Sequence, residues 1–578
     1  MPPFSLPASL PLLPLVAAGL LVLCGVNADH FPPWTSFHSE APAFLASALL
    51  LLALALQPQG ARWTPALWLL SALAGSAWLQ LAAGHLEYAG DAWVATAYLA
   101  AFGVAWMWGA ATVRAGDPAR PLLVFGTGLI LLGLVTALPV LAQWLDVGDQ
   151  FRGWIFQPEV RRSSGNLGQP NVTATVLLMA SGAVAAFLLH GILARRAAWA
   201  LFAFFAWAVV LTQSRTAMLS AVLMAALVLA AGWRSPAVAR YRFDALAWLL
   251  MLFVFGWILA ALPTEAPPLR ADDGSGIGRR FLIWRQLLEA LGDSPWSGFA
   301  WLQVAAAQQA GAALGVHGIE QVNYAHSVVL DLLVVLGVPL GLLVLGLVAA
   351  WLLRRLRRLQ GAPTVAGMGL FVLVPLAVHM QLELPHAYAY LLLPAGVLLG
   401  AFEALTEPAP GAGVAVRRWV LATASAAWLA VLLALAYEYS LAEEDFRVNR
   451  FENRRLGRTQ DTYHVPDLRM LTQLGEVLQA MRLRAQPGMS PQDVDVLVRA
   501  SRRYSWAALH YRTALALALN GRTEDAGRQL ALIQALFAPQ IWEEGRETWL
   551  QMTREQYPQL SAVPLPPPAR APRLPAAP

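Results

Sequence analysis

The chain has 578 residues, 58% of them hydrophobic and only 13% charged, with a formal net charge of +5. So few charges cannot cover the surface of a soluble protein of this length, so lipid must be part of its solvent. The small net charge gives no footprint for nucleic acid, and the single cysteine, Cys24, excludes an intrachain disulfide and a cysteine-based zinc site.

All 40 basic residues are Arg, and the first is Arg62. The N-terminus therefore lacks the basic stretch of a cleavable signal peptide, and the run from Leu10 to Val26 predicts a first membrane helix. Further apolar runs of spanning length lie near 41–57, 63–82, 92–112, 121–145, 171–193, 197–213, 216–232, 244–262, 326–353, 364–382, 387–405 and 418–440. The expected fold is an all-α polytopic membrane protein with about 12–13 spans. One set of loops carries Arg62, Arg114, Arg120, Arg195, Arg196, Arg234, Arg240, Arg242, Arg354, Arg355, Arg357, Arg358, Arg417 and Arg418, while the loops at 29–40, 83–91 and 383–386 carry none. By the positive-inside rule the Arg-rich loops face the cytoplasm, which places 146–170, 213–216, 263–325 and everything after about 441 in the periplasm of a bacterial inner membrane.

Arg152, Arg161, Arg162, Arg215, Arg270, Arg279, Arg280 and Arg285 break that rule, because they sit on the side where positive charge is avoided. Topology does not explain them, and a guanidinium is suited to gripping phosphate. Arg215, in Gln213-Ser214-Arg215-Thr216 between two apolar runs, stands at the membrane boundary, where a charge is either functional or snorkels to headgroups.

The loop 263–325 is too long for a plain connector. Its Arg279–Glu289 stretch predicts an amphipathic interfacial helix with an apolar stripe at 281, 284, 287, 288 and 291 and with Arg285 and Glu289 on the other face. The glycine-rich 274–278 before it reads as a hinge. From 441 the chain turns charged and periodic. It predicts helices near 441–456, 466–484, 491–503, 505–519 and 523–535, with the small/aromatic spacing of a tetratricopeptide-like hairpin from Ala507 to Ala526. The expected organisation is a transmembrane domain over 1–440 that includes the 263–325 loop, a periplasmic helical domain over 441–562 and a disordered Pro/Ala tail over 563–578.

Three further polar clusters at the outer side carry candidate chemistry. Gly165-Asn166-Leu167-Gly168-Gln169-Pro170-Asn171 offers amides for sugar hydroxyls or phosphate, or simply a helix entry with Asn171 as N-cap. His326, in Asn323-Tyr324-Ala325-His326-Ser327, is placed for proton transfer or is merely solvated. Glu383, in His379–Tyr390, is a carboxylate amid apolar residues, with an outer Arg or His as partner and a structural ion pair to Arg215 as the plain alternative. His386, Tyr388 and Tyr390 follow it.

Taken together, Gly165–Asn171, Ser214-Arg215, Arg280 through Trp284 to Pro295-Trp296-Ser297-Gly298-Phe299, His326-Ser327 with Leu330–Gly337, and Leu382-Glu383-Leu384-Pro385 running into Tyr388–Gly396 resemble the bacterial O-oligosaccharyltransferases and O-antigen ligases, closest to the pilin-glycosylation branch. The likeness covers about 160–400, with Ser327 where the family often has Asn and His386 where an apolar residue is expected. It implies a GT-C-like membrane enzyme, with no metal or other cofactor, that moves a glycan whole from undecaprenyl diphosphate to Ser or Thr hydroxyls of a periplasmic acceptor such as pilin. Transfer to lipid A–core and polymerisation of O-antigen units are the alternatives. Under this resemblance Arg215 and Arg280 hold the diphosphate; Arg161, Arg162, Arg285, Asn166, Gln169 and Asn171 help bind the donor. His326 takes the proton of the attacking hydroxyl or steadies the diphosphate; Glu383 orients an Arg or His, or binds the acceptor; His386, Tyr388 and Tyr390 lie on the acceptor side. A transporter, with polar residues in mid-span and internal repeats, and a scaffold acting through its tail are readings from other classes.

Overall fold

A computed structural model of the chain describes residues 12–58, 60–158, 162–262, 277–315, 321–362, 364–407, 413–456, 459 and 463–566. In chain order the helices are α1 Leu12–Val26, α2 Phe37–Leu56, α3 Pro65–Ala82, α4 Ala89–Arg114, α5 Arg120–Trp144, α6 Pro170–Leu189, α7 Arg195–Leu211, α8 Arg215–Arg234, α9 Pro236–Ala239, α10 Arg242–Ala261, α11 Ile277–Asp293, α12 Val304–Ala313, α13 Val328–Leu336, α14 Val338–Arg358, α15 Thr364–His379, α16 Ala389–Leu405, α17 Arg418–Asn453, α18 Thr472–Arg482, α19 Pro491–Arg503, α20 Ala507–Leu519, α21 Thr523–Leu536 and α22 Pro539–Glu555. Two short strands, β1 Ala61–Trp63 and β2 Val414–Val416, pair antiparallel with Arg62 opposite Ala415. The protein is an all-α polytopic membrane protein. Among the described residues α2, α3, α4, α5, α6, α8, α9–α10 as Pro236–Ala261, α14 and α17 are long and apolar enough to cross a bilayer, and α1, α15 and α16 are shorter apolar helices.

The chain divides into two compact units: the described residues of Met1–Gly75, Thr96–Ala266 and Leu347–Ala436, and those of Ser76–Ala95, Pro267–Gly346 and Tyr437–Pro578. This cuts across the boundary expected at 440, because the long loop groups with the C-terminal helices.

In the first unit, α6 is almost wholly buried and packs against α5, α7 and α15. The expected Arg-rich side is one end of this bundle, and several of its charges are tied down there. Arg114 forms a two-pronged pair with Glu407, Arg195 pairs with Asp244 at 2.7 Å, and Arg355 donates to the Glu403 backbone carbonyl at 2.8 Å. Glu403, buried within an apolar helix, also accepts from Trp106 Nε1 at 2.7 Å and Thr64 Oγ1 at 3.1 Å.

In the second unit, α11 follows the expected helix, but its packed face differs. Ile283, Gln286, Leu287, Ala290 and Leu291 are buried, whereas Phe281 and Leu288 are exposed. The reason is α12, which lies so close that a Cβ on Gly311 would stand 1.9 Å from the Gln286 carbonyl oxygen. The single span expected over 326–353 is two helices, α13 and α14, parted at Gly337, whose φ of 79° suits only glycine. Pro295–Gly298 runs against this break. Phe299 N donates to Val334 O at 2.7 Å, Val338 N donates to Pro295 O at 2.8 Å, and a Cβ on Gly298 would meet Val334 O at 2.4 Å. The helices expected at 418–440 and 441–456 are one, α17, and α22 is an additional helix.

The C-terminal helices α18 to α22 pack on their sequence neighbours. Ser490 caps α19 by accepting from Asp493 N at 3.1 Å. Two buried contacts anchor this region. Gln309 on α12 donates to the Ser501 and Arg502 carbonyls at 3.2 and 3.0 Å. Arg503 grips Asp91, in the first turn of α4, with Nε and Nη2 at 2.8 and 2.9 Å, and Asp91 is fully buried.

Asp91→Ala leaves a buried guanidinium uncompensated, a loss of about 3–5 kcal/mol. Amide hydrogen exchange through α19 and α20 of the full-length protein in detergent therefore rises. The apolar pair Asp91→Leu/Arg503→Met restores protection, and unchanged exchange in the single variant rules the anchor out.

His510 is buried between Ser505 Oγ, 2.9 Å from Nε2, and Gln529 Oε1, 2.7 Å from Nδ1. Burial lowers its pKa from 6.5 to about 4, against a smaller upward push from Gln529. The unfolded state binds the extra proton first, so the stability due to neutral His510 is full above pH 6.5 and is lost as pH falls from 6.5 toward 4. The full loss is on the order of 3 kcal/mol. Exchange of α20–α21 measured across that window steepens toward acid in wild type and flattens in His510→Gln.

Candidate active site

The candidate residues fall into the two units, and each group stands by itself. In the first unit the helix ends opposite the Arg-rich end gather the polar residues. α5 finishes at Trp144 and α6 begins at Pro170, and the irregular chain between them is held from inside. Gln143 Oε1 accepts from Ser164 N and Gly165 N at 2.9 and 2.8 Å, while its Nε2 donates to Phe156 O at 2.7 Å. Asn166, 2% exposed, donates to Val26 O at 2.8 Å and Trp154 O at 2.9 Å and accepts from Phe156 N at 3.0 Å. His30 Nε2 donates to the Asn166 carbonyl at 2.8 Å. Asn166 was expected to bind donor. Both its amide hydrogens and its oxygen are engaged in the loop, so it positions the loop instead.

Asn171 is not the N-cap of α6. That place is Gln169, with Pro170 at the first helical position, where its missing N–H costs nothing. Asn171 sits in the first turn and joins a chain of contacts. Arg162 Nη2 donates to Asn171 Oδ1 at 3.4 Å, and Asn171 Nδ2 donates to Glu383 Oε1 at 3.3 Å. Arg162 Nε also donates to the Thr212 carbonyl at the C-terminus of α7, at 3.1 Å. Arg162, Asn171 and the buried Glu383 thus meet, with Asn171 between the two charges.

Arg215 occupies the first position of α8, after Ser214, whose Oγ accepts from Ala217 N at 3.2 Å. It is exposed and, among the described residues, has no ion pair, to Glu383 or otherwise. A cation at a helix N-terminus opposes the helix dipole at a cost of about 0.3–1 kcal/mol, so helix stability does not explain it. An anion there would be favoured by both the guanidinium and the free N–H groups.

Tyr388 donates to Gln169 Oε1 at 3.4 Å, which brings two candidates together. Tyr390 is 1% exposed, with its ring centroid 5.4 Å from that of Tyr388. It supports Tyr388 and does not itself face an acceptor. His386 is half-buried on the turn Pro385–Ala387. Arg161 lies outside the described residues.

Sequence reasoning missed Glu40. Its carboxylate is fully buried at the start of α2 and accepts from Ser36 Oγ, Tyr98 OH and the backbone N of Ala389 at 2.8 Å, where α16 begins. It also passed over His379, fully buried with Nδ1 2.8 Å from Thr175 Oγ1. For Glu40 the signal was available: it is an acidic residue in the opening turn of an apolar run.

In the second unit, His326 precedes α13 with φ of +54°. A left-handed histidine is strained and persists only where its surroundings hold it. They do: Ala325 N donates to Asp331 Oδ1 at 2.7 Å, and Trp284 Nε1 donates to Ala325 O at 2.8 Å. Arg280 is one turn before Trp284 on the same side of α11, and Arg285 is exposed. Trp284 thus ties the helix that carries both Arg residues to the turn that carries His326. No group of three or more His, Cys, Asp or Glu side chains among the described residues is placed to hold a metal.

Comparison with known proteins supplies the context. A family model described as O-Antigen ligase matches residues 200–345, and one described as Virulence factor membrane-bound polymerase, C-terminal, matches 367–548. The chain is 25% identical over 545 residues to a General O-oligosaccharyltransferase of Acinetobacter baylyi, covering 91% of this chain and 92% of that one. It is 30% identical over 248 residues to a ComP-specific O-oligosaccharyltransferase of the same organism, covering 41% of this chain and 43% of that one. The ligase match takes in Arg215, Arg280 and His326, and the longer alignment runs through both compact units, so the chain is similar to O-antigen ligases and O-oligosaccharyltransferases along most of its length.

Proposed function

We propose that the protein is a glycosyltransferase that moves an oligosaccharide whole from undecaprenyl diphosphate to a Ser or Thr hydroxyl of a periplasmic protein such as a pilin. The observation that carries this reading is Arg215: an exposed guanidinium without an acidic partner among the described residues, at the N-terminus of α8. α6 begins at the same end of the first unit. The resemblance to two O-oligosaccharyltransferases supports a protein acceptor.

In the reaction the acceptor oxygen attacks the anomeric carbon and the bond from that carbon to the diphosphate oxygen breaks. The hydroxyl proton passes to His326, and the lipid diphosphate leaves as an anion. Positive charge fixed in advance where this negative charge gathers lowers the barrier. Arg215 and Arg280 supply it, with Arg162 and Arg285 as lesser contributors, so the reading needs no metal. A single displacement inverts the anomeric centre. Asn171, steered by Arg162 and Glu383, and Gln169, steered by Tyr388, present amides for the glycan or diphosphate oxygens.

The ligase model over 200–345 favours a second reading, transfer to lipid A–core. Purified protein incubated with lipid-linked glycan and either acceptor separates the two. Glycosylated pilin with unmodified lipid A–core supports the first, and the reverse result replaces it with the second.

Arg215→Ala lowers the transfer rate about 10²–10³-fold, and Arg215→Lys recovers part of it. At His326 the paired substitutions Ala and Gly separate chemistry from backbone. Glycine adopts φ of +54° without strain. If the imidazole acts on the proton, both variants are equally slow; if glycine restores transfer, His326 serves only the turn and the assignment fails.

A further inference from the structure

The Arg-rich end of the first unit holds a cavity that the proposed reaction does not use. Its volume is about 470 Å³. The walls are apolar and come from the ends of α6, α8, α10, α14 and α15, among them Leu188, Met224, Trp248, Leu356 and Phe371. It lies at the opposite end of α6 and α8 from Asn171 and Arg215, so it is separate from the candidate active site.

Its polar border is specific. Asp244 lines the cavity; its Oδ1 accepts from Arg195 at 2.7 Å and Trp199 Nε1 at 3.1 Å, while its Oδ2 is buried without a hydrogen-bond partner. Tyr241, also in the lining, donates to Leu188 O at 3.3 Å and carries the Arg240 guanidinium 4.8 Å above its ring. Arg242 follows Tyr241, and its Nε is buried against Gly232 without a hydrogen-bond partner. Arg234 ends α8, one turn past the lining residue Ala231. Among the described residues none of Arg234, Arg240 and Arg242 has an acidic partner. An apolar hollow in membrane-spanning helices, with three Arg residues beside its lining that have no acidic partner among the described residues, matches one chemistry, a hydrocarbon chain attached to a phosphate.

We propose that this cavity binds an anionic phospholipid of the leaflet at the Arg-rich end. One acyl chain lies between α8, α10 and α15, and the phosphate rests on Arg240 and Arg242. Phosphatidylcholine carries a compensating cation and fits the border less well. The polyprenyl tail of the donor is the other hydrocarbon available, but its diphosphate belongs to the far end of the same helices in the reading above.

The test uses the full-length protein in mild detergent, titrated with dioleoylphosphatidylglycerol or dioleoylphosphatidylcholine and read by native mass spectrometry and thermal unfolding. Wild type retains phosphatidylglycerol at least about tenfold more tightly than phosphatidylcholine. Ala245→Trp, which fills the half-buried wall, and Arg240→Gln/Arg242→Gln, which removes the charge and leaves the hollow, each abolish that preference. Elution as a single species and retained glycan transfer show that the variants are folded. Equal binding of the two lipids, or phosphatidylglycerol binding unchanged in both variants, overturns the proposal. So does loss of a copurified polyprenyl lipid in place of phosphatidylglycerol in Ala245→Trp. Failure of transfer by wild type would sink the proposed function without touching this site.

Discussion

An irregular stretch of chain between two membrane helices is tolerated only if its backbone N–H and C=O groups find partners inside the protein. Between α5 and α6 two side-chain amides meet that demand. Gln143 reaches from the last turn of α5 to Phe156, Ser164 and Gly165, and Asn166 ties Val26, Trp154 and Phe156 into one knot. Everything downstream inherits its place from this. With the loop fixed, Pro170 starts α6, and Gln169 and Asn171 are delivered to Tyr388 and Glu383. On the far side Glu40 does the matching work for α16 by accepting from the Ala389 N–H.

The electrostatic consequence is an end of the bundle where positive charge is exposed and negative charge is enclosed. Glu40 and Glu383 are buried and hydrogen-bonded, while Arg215 is open. The N-termini of α6 and α8 add partial positive charge of their own. At the other end of the same helices Arg114, Arg195 and Arg355 are each matched by an acid. The contrast separates these cations, which stabilise the fold, from Arg215 at one end and Arg234, Arg240 and Arg242 at the other, which no acid matches among the described residues; unmatched charge is what the diphosphate of the proposed reaction and the phosphate of the proposed lipid each require.

The second unit solves a different problem, holding a strained histidine without the help of a regular element. His326 lies between Ala325, fixed at both its N–H and its C=O, and Ser327, whose carbonyl accepts from Asp331 N at 2.8 Å. α11 in turn needs α12, and α12 is bound through Gln309 to the end of α19, whose Arg503 is locked on Asp91. The long loop and the C-terminal helices therefore belong to one compact unit, joined also by a small apolar contact of Ala312 with Ala535 and Leu536. A view of the tail as a separable module does not describe it.

The helices were largely legible in the sequence because run length and apolarity measure directly whether a segment can cross hydrocarbon. What such runs do not record is where the backbone must break. Leu336-Gly337-Val338 reads as continuous apolar chain, and only the approach of Pro295–Gly298 to within hydrogen-bonding distance shows why glycine is there. The same limit explains Asn166 and Asn171: two amides in one short motif look interchangeable, yet one is consumed by the fold and the other meets Glu383. Arg215 was legible for a complementary reason. Topology leaves a positive residue on that side unexplained, and its place at the first position of α8 removes the remaining structural explanation, since there the helix dipole repels it. A residue disfavoured by its own helix and, on the expected topology, by the membrane, and paired with no acid among the described residues, is what the proposed reaction assigns to the lipid diphosphate.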